Sequence, residues 1–206
     1  MKNQTLSYII SFTGLHEVFQ QTSEQEFAVA RTYGAEMYPI EDGLTAHLWD
    51  VRFWKDAEIF STPEVSDSKY TVAFFPDARE LRLWHDGCWL KKNPSWNMMF
   101  AKTSNLRIYL SAAIRYRCLL INFTKAWICE SVARTTDHLL CNEGPADFNN
   151  ETELQNSMNA HEMKTVLEIF ENSCRRLLGG LYIKSLVLKL ISDYFIRTTV
   201  DKHLVH

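Results

Sequence analysis

The sequence carries no excess of basic residues: lysine and arginine number 22 against 25 aspartate and glutamate, for a net charge of −3. A module that grips nucleic acid by itself concentrates positive charge on one face, so any contact with DNA is expected from a segment that this chain does not contain. The Cys-x-x-Cys spacing of zinc and redox centres is also missing. Cys88, Cys118, Cys129, Cys141 and Cys174 are scattered and odd in number, as free thiols are in a reducing compartment. No run reaches the roughly 20 apolar residues that cross a bilayer. The apolar patch from Leu6 to Phe12 is broken by Ser7 and Ser11, which makes it too short and polar for a secretion signal. A cytoplasmic protein without membrane contacts is expected. A Gly-x-Ser-x-Gly elbow, a phosphate-binding loop and a dinucleotide fingerprint are all absent, so the sequence offers no handle for catalysis or a cofactor.

What the chain does have is aromatic and apolar residues in two different periods. Up to about Thr124, short apolar runs alternate with turn signals, as in an all-β barrel or sandwich. After Glu41-Asp42-Gly43, the run from Leu44 to Trp54 puts His47, Trp49, Val51 and Phe53 on one face and Asp50 and Arg52 on the other. Tyr70–Phe75 is a continuous apolar run of strand length, and Leu81 and Leu83 alternate with Glu80 and Arg82. His85-Asp86-Gly87 carries the signal of a tight hairpin. Strands are expected again at Trp96–Ala101, Leu106–Leu110 and Arg117–Phe123, about eight in all, suiting a small closed or nearly closed barrel.

Beyond Thr124, a plausible helix N-cap, the period becomes helical. Helices are expected over 125–140, 160–178 and 181–198, with a loop over 142–153 and Gly179-Gly180 ending the second helix. The class is therefore α+β: a β-rich region 1–123 followed by a helical segment 124–206. The last helix has an unusual cross-section. Ile183, Leu186, Val187, Leu190, Ile191 and Tyr194 form a stripe widened by Leu188 and Phe195, an apolar arc of roughly 200° where one core needs about 100°. Two readings fit: the helix pairs with its twin in a second chain, or it is sunk between elements of its own chain. On the first reading Leu186, Val187, Leu190, Ile191 and Tyr194 are the dimer interface.

Two segments carry a family resemblance. Leu120-Ile121-Asn122-Phe123-Thr124-Lys125-Ala126-Trp127-Ile128 and Leu181-Tyr182-Ile183-Lys184-Ser185-Leu186-Val187-Leu188-Lys189-Leu190-Ile191 resemble the sensor halves of AraC-family transcription regulators, in the siderophore-regulator-like subgroup of Bacteroidetes. The resemblance implies a cupin-like β-domain that binds a small-molecule effector, a helical dimerisation segment and a homodimer. It also implies a separate DNA-binding domain with two helix-turn-helix units. No such pattern follows Thr198, so that half is expected to be absent from this chain.

The effector itself is not legible. Alternation suggests Trp49, Phe53, Phe74, Trp96 and Met98 as the lining of a pocket, although aromatic residues also fill small β-cores outright. Arg52, Arg79 and Arg82 could meet an anionic effector or form a solvated face. Cupin-like metal enzymes use a His-x-His pair with a nearby Glu and a later His; here His16, His47, His85, His138 and His161 are scattered, so no metal site is expected. A metal enzyme built on His47 and His85, and a stand-alone protein that sequesters a related regulator, are the alternatives.

Overall fold

The computed structural model describes residues 8–11, 30–60, 69–85, 87–90, 94–101, 106–135, 156–173 and 179–203. The first strands are β1 (Tyr8–Ser11), β2 (Ala30–Glu41), β3 (Leu44–Phe53), β4 (Ala57–Phe60), β5 (Lys69–Phe75) and β6 (Leu81–His85). They are followed by β7 (Cys88–Trp89), β8 (Trp96–Ala101), β9 (Leu106–Leu110), β10 (Arg115–Thr124) and β11 (Asn156–Ser157). The helices are α1 (Lys125–Thr135), α2 (Ala160–Asn172) and α3 (Gly179–His203).

The strands form a five-stranded sheet ordered β1-β4-β9-β6-β7 and a six-stranded sheet ordered β11-β8-β5-β10-β3-β2. Among the described residues no strand belongs to both, so of the expected barrel or sandwich it is the open β-sandwich that forms, with helices added, and the α+β class stands. A period-2 pattern says which residues share a face but not which strands pair, so it cannot separate the two closures.

The six-stranded sheet is buried on both sides. One face meets the five-stranded sheet across a core that contains Trp49, Val51, Phe53, Phe75, Leu81, Leu83 and Ile108. The other meets the helices across a second core of Leu44, Ala46, Leu48, Phe74, Leu119 and Ile121 with Val166, Ile169, Val187 and Leu190. This explains β5: a strand covered on both faces reads as a continuous apolar run rather than as an alternation. β3 shows the change of cover within a single strand. Leu44, Ala46 and Leu48 belong to the helix-side core, and Trp49, Val51 and Phe53 to the inter-sheet core, so the buried phase slips by one residue at Leu48-Trp49.

Local signals set the joints. β2 and β3 close as a hairpin on Asp42-Gly43, with Glu41 paired to Leu44 and Gly43 at φ +75, a conformation that favours glycine. A Cβ there would lie 2.7 Å from Thr124 Oγ1, and the Thr124 N–H donates to the Gly43 carbonyl at 2.9 Å. Thr124 does act as an N-cap, its hydroxyl accepting from the Trp127 N–H at 3.1 Å. Gly43→Ala therefore meets both strain and a clash beside the start of α1. We expect it to lower the unfolding free energy by about 1–3 kcal/mol, read from the urea midpoint at unchanged slope. The β6–β7 hairpin likewise turns at Gly87, φ +95, with His85 paired to Cys88.

Three helix boundaries differ from expectation. α2 ends at Asn172, with the Ser173 N–H donating to the Ile169 carbonyl. Gly179-Gly180 opens α3 rather than closing α2; glycine is tolerated at either helix end, so composition alone does not assign it. α3 also runs on to His203, past the expected end at Thr198. Residues 136–155 and 174–178, and with them Cys141, His138 and Cys174, lie outside the described residues, as does His16.

Candidate functional site

The strands of the two sheets bring Trp49, Phe53, Trp96 and Met98 into the inter-sheet core. They do not bring Phe74 there. Phe74 pairs with Leu119 of β10 and points to the helix side, where its ring meets Tyr194 edge-on at 6.0 Å. The continuous run of β5 carries no phase, and the neighbour that faces the inter-sheet space is Phe75, whose ring lies 5.0 Å from Trp96. Of the expected lining, Trp49 borders a void in this core. That void is about 20 Å³ and is bounded also by Val51, Ile59, Phe75, Ile108, Tyr116 and Cys118. It is room for about one water molecule, so aromatic and aliphatic side chains largely fill the space.

The chemistry of these walls is apolar. Tyr116 turns its hydroxyl to the rim, where it accepts from the Ser111 N–H at 2.8 Å, and burial pushes its phenol above the ordinary range. The Cys118 thiol is pushed up strongly by burial, which keeps it protonated and unreactive near neutral pH. His47 lies on the six-stranded sheet and His85 on the five-stranded one. Among the described residues no three His, Cys, Asp or Glu side chains converge as metal ligands, and no helix is long and apolar enough to cross a membrane.

The expected dimer stripe proves to face inward. Val187, Leu190 and Tyr194 are 0% exposed and Ile191 is 1% exposed, all packed on the six-stranded sheet, with Leu186 half-buried at the margin of the same core. This corrects the interface assignment. The arc is wide because α3 is covered by the sheet on one side and by α2 on the other, which is the second of the two sequence readings. Among the described residues, the large apolar side chains that α3 leaves outside are Leu181, Tyr182 and Ile196, 74%, 42% and 61% exposed.

A polar junction ties α3 to the sheet. Asn159 caps α2 by accepting from the Glu162 N–H at 2.8 Å, and the Glu162 carboxylate accepts in return from the Asn159 N–H at 2.9 Å, a capping box. The same carboxylate, 0% exposed, accepts from Asn97 Nδ2 of β8 at 3.1 Å and lies 2.9 Å from Arg197 Nη2 of α3. Arg197 also donates to the Ser157 carbonyl of β11. Burial pushes the Glu162 carboxyl above the usual range, opposed by the Asn159 N–H and by Arg197. A residue of β8 whose neighbours Trp96 and Met98 face the inter-sheet core is thus wired to the far half of α3. The Asn-x-x-Glu spacing at 159–162 was readable as a capping box; its partners Asn97 and Arg197 were not.

No protein-family model matches this sequence, and no curated protein matches it. Among solved structures, the fold is similar to that of the apo form of a ToxT point variant from Vibrio cholerae strain SCE256. Identity there is 10%, over 77% of this chain and 56% of that one, with a TM-score of 0.50. Wild-type ToxT of the same strain, bound to an unsaturated fatty acid, matches at 10% identity over 76% of this chain and 55% of that one, TM-score 0.46. The cupin domain of an XRE-family transcriptional regulator from Enterobacter cloacae matches at 17% identity over 46% of this chain and 94% of that one, TM-score 0.34. This chain spans little more than half the length of the ToxT chains it matches, and at such identities the likeness is one of fold.

Proposed function

We propose that this chain is the effector-sensing and dimerising part of an AraC-type transcription regulator, without catalysis of its own and reaching DNA only through a domain outside it. The observation that carries the reading is the double cover of the six-stranded sheet. One face borders the inter-sheet core, and the other carries the last helix through Phe74–Tyr194 and the Asn97–Glu162–Arg197 junction. A ligand that spreads the two sheets displaces the wall on which α3 rests, and so biases two arrangements of the helix by its differential affinity for them. The fold shared with ToxT, an AraC-family regulator, supports the assignment; the siderophore-regulator-like subgroup rests on the two sequence segments alone.

The apolar walls favour an effector with an apolar body, which enters by displacing side chains from a space that is nearly full. Homodimerisation through α3 belongs to the same reading, carried now by its outward residues Leu181, Tyr182 and Ile196. The test is calorimetric titration of the purified chain with oleate and, separately, with glucose, with metal analysis alongside. Saturable one-to-one binding of oleate, abolished by Ile108→Trp in the inter-sheet core, is the expected result. Stoichiometric iron, zinc or manganese retained through chelation, with neither ligand bound, would overturn the reading in favour of a cupin-like metal enzyme.

A further inference from the structure

Among the described residues, three connections that pass between the sheets meet at one end of the sandwich: residues 54–56 from β3 to β4, 76–80 from β5 to β6, and 111–114 from β9 to β10. The inter-sheet void lies next to this end. Its walls include Leu110, the last residue of β9, Leu81, the first of β6, and Tyr116, the second of β10. Register sets Leu110 against Ala57 and Leu81, and Tyr116 against Val51. A molecule that reaches the void by this end passes the connections first.

Hydrogen bonds tie the 111–114 turn to both of its neighbours. The Ala113 N–H donates to the Phe53 carbonyl at 2.8 Å, and the Ala112 N–H to Asp56 Oδ1 at 2.8 Å. The Ser111 N–H donates to the Tyr116 hydroxyl at 2.8 Å, and that hydroxyl lies 3.4 Å from the Glu80 carbonyl. Apolar packing adds little. Ser111, Ala113 and Ile114 are exposed, and among the described residues no apolar side chain of the turn is packed in either core. Ala113 is also strained, since its φ of +64 is a left-handed conformation that a Cβ disfavours. The 76–80 connection is held differently, pinned by buried Ala78, whose N–H donates to the Pro94 carbonyl at 2.8 Å. Few buried contacts, exposed hydrogen bonds and a strained residue mark a segment that opens at far less cost than global unfolding.

We propose that the 111–114 turn is the door to the inter-sheet core and that Tyr116 is its latch. Tyr116 serves both sides of the door. Its buried ring walls the void, and its hydroxyl holds the turn outside. When the bond from Ser111 breaks, the turn loses its anchor on β10 and the ring loses the contact that fixes its outer end. Opening releases the strain at Ala113. Because the turn joins the two sheets, its release is also what lets them part at this end. The door rests on the reading that an effector enters the inter-sheet core, and it sets the end by which the effector does so.

Cys118 makes the door observable without any effector, because its buried thiol lines the same void. The experiment treats the folded, intact chain with excess methyl methanethiosulfonate at fixed pH. Peptide mass mapping follows Cys118 apart from the exposed Cys88 and Cys129. Tyr116→Phe should speed the labelling of Cys118 roughly 2- to 12-fold, the worth of one hydrogen bond. Asp56→Ala, at an exposed position, should also speed it and keeps the test open if Tyr116→Phe fails to fold. Ala113→Gly should slow it about 2- to 5-fold by relieving strain in the closed turn. Gly43→Ala, which weakens the fold at the other end of β3, should leave it unchanged. Stopped-flow association of oleate should quicken with Tyr116→Phe and slow with Ala113→Gly. Labelling that rises with Gly43→Ala, or that ignores both Tyr116→Phe and Ala113→Gly, would overturn the door. Oleate association equally fast in wild type and both variants would do the same. Labelling that follows the door in a chain that binds no oleate supports the door and counts against the oleate-binding core instead.

Discussion

Leu190→Glu is expected to abolish folding, whereas Leu181→Glu with Ile196→Glu should leave the fold intact and report on self-association. Leu190 is 0% exposed, set between α3 and the six-stranded sheet among Phe74, Leu119 and Ile121. A carboxylate there has no counter-charge, and an unpaired buried charge falls among the few substitutions that cost more than about 4 kcal/mol. A domain stable by roughly 5–15 kcal/mol loses much or all of its margin. Loss of the cooperative urea transition and of near-ultraviolet dichroism is the expected measurement. Ile196 and Leu181 stand mostly in water, so their replacement should move stability by less than about 0.5 kcal/mol each. If α3 pairs two chains by its outer side, the double variant sediments as a monomer where the wild type sediments as a dimer. A wild type that stays monomeric at tens of micromolar removes dimerisation from the proposed function. A Leu190→Glu protein that folds and merely dissociates would show that the stripe faces a partner after all.

The second large effect is expected at Glu162. Glu162→Leu removes three partnerships at once: the reciprocal capping bond to Asn159, the acceptor for Asn97 and the counter-charge of Arg197. Breaking a buried ion pair on one side costs about 3–5 kcal/mol. Because the Arg197 side chain keeps 23% of its surface in solvent, we place the loss near the lower end, about 3 kcal/mol. Glu162→Gln should lose less, since its amide oxygen still accepts from the Asn159 N–H while only the charge opposite Arg197 is gone. Amide hydrogen exchange separates this junction from general destabilisation. Protection should fall first over Tyr194–His203, the half of α3 beyond Leu190, while the amides of Ile183–Val187 follow only when global stability fails. A uniform fall along the helix would mean that Glu162 serves α2 alone.

The sequence made the layers legible better than the contacts. Turn chemistry at His85-Asp86-Gly87 located the β6–β7 hairpin because a positive φ admits few residues, whereas the strand before Asp42-Gly43, and so the β2–β3 hairpin, was not expected. The alternation of Leu81 with Leu83 and of Leu106 with Ile108 and Leu110 marked inward faces correctly, because those strands are wet on one side. The same reasoning failed at Phe74, where cover on both sides erases the alternation that assigns a face. It misjudged α3 for a related reason: a wide apolar arc states how much surface is covered but not whose surface covers it. The tie between the turns at 54–56 and 111–114 was invisible for another reason. Asp56 is 56 positions from Ala112, and only the β4–β9 register sets their turns side by side.

The double cover of the six-stranded sheet also governs how the protein can be made. All of its strands but the two-residue edge strand β11 are complete once Phe123 has left the ribosome, yet the residues of α3 that shield them, Val187 to Tyr194 above all, are synthesised about 70 positions later. At ordinary translation speeds that interval lasts roughly 4–14 s. Throughout it the part of the apolar surface that α3 covers lacks that cover, the condition under which nascent chains aggregate. Production should therefore depend more on chaperone supply and on slow, cool expression than the stability of the finished fold would suggest.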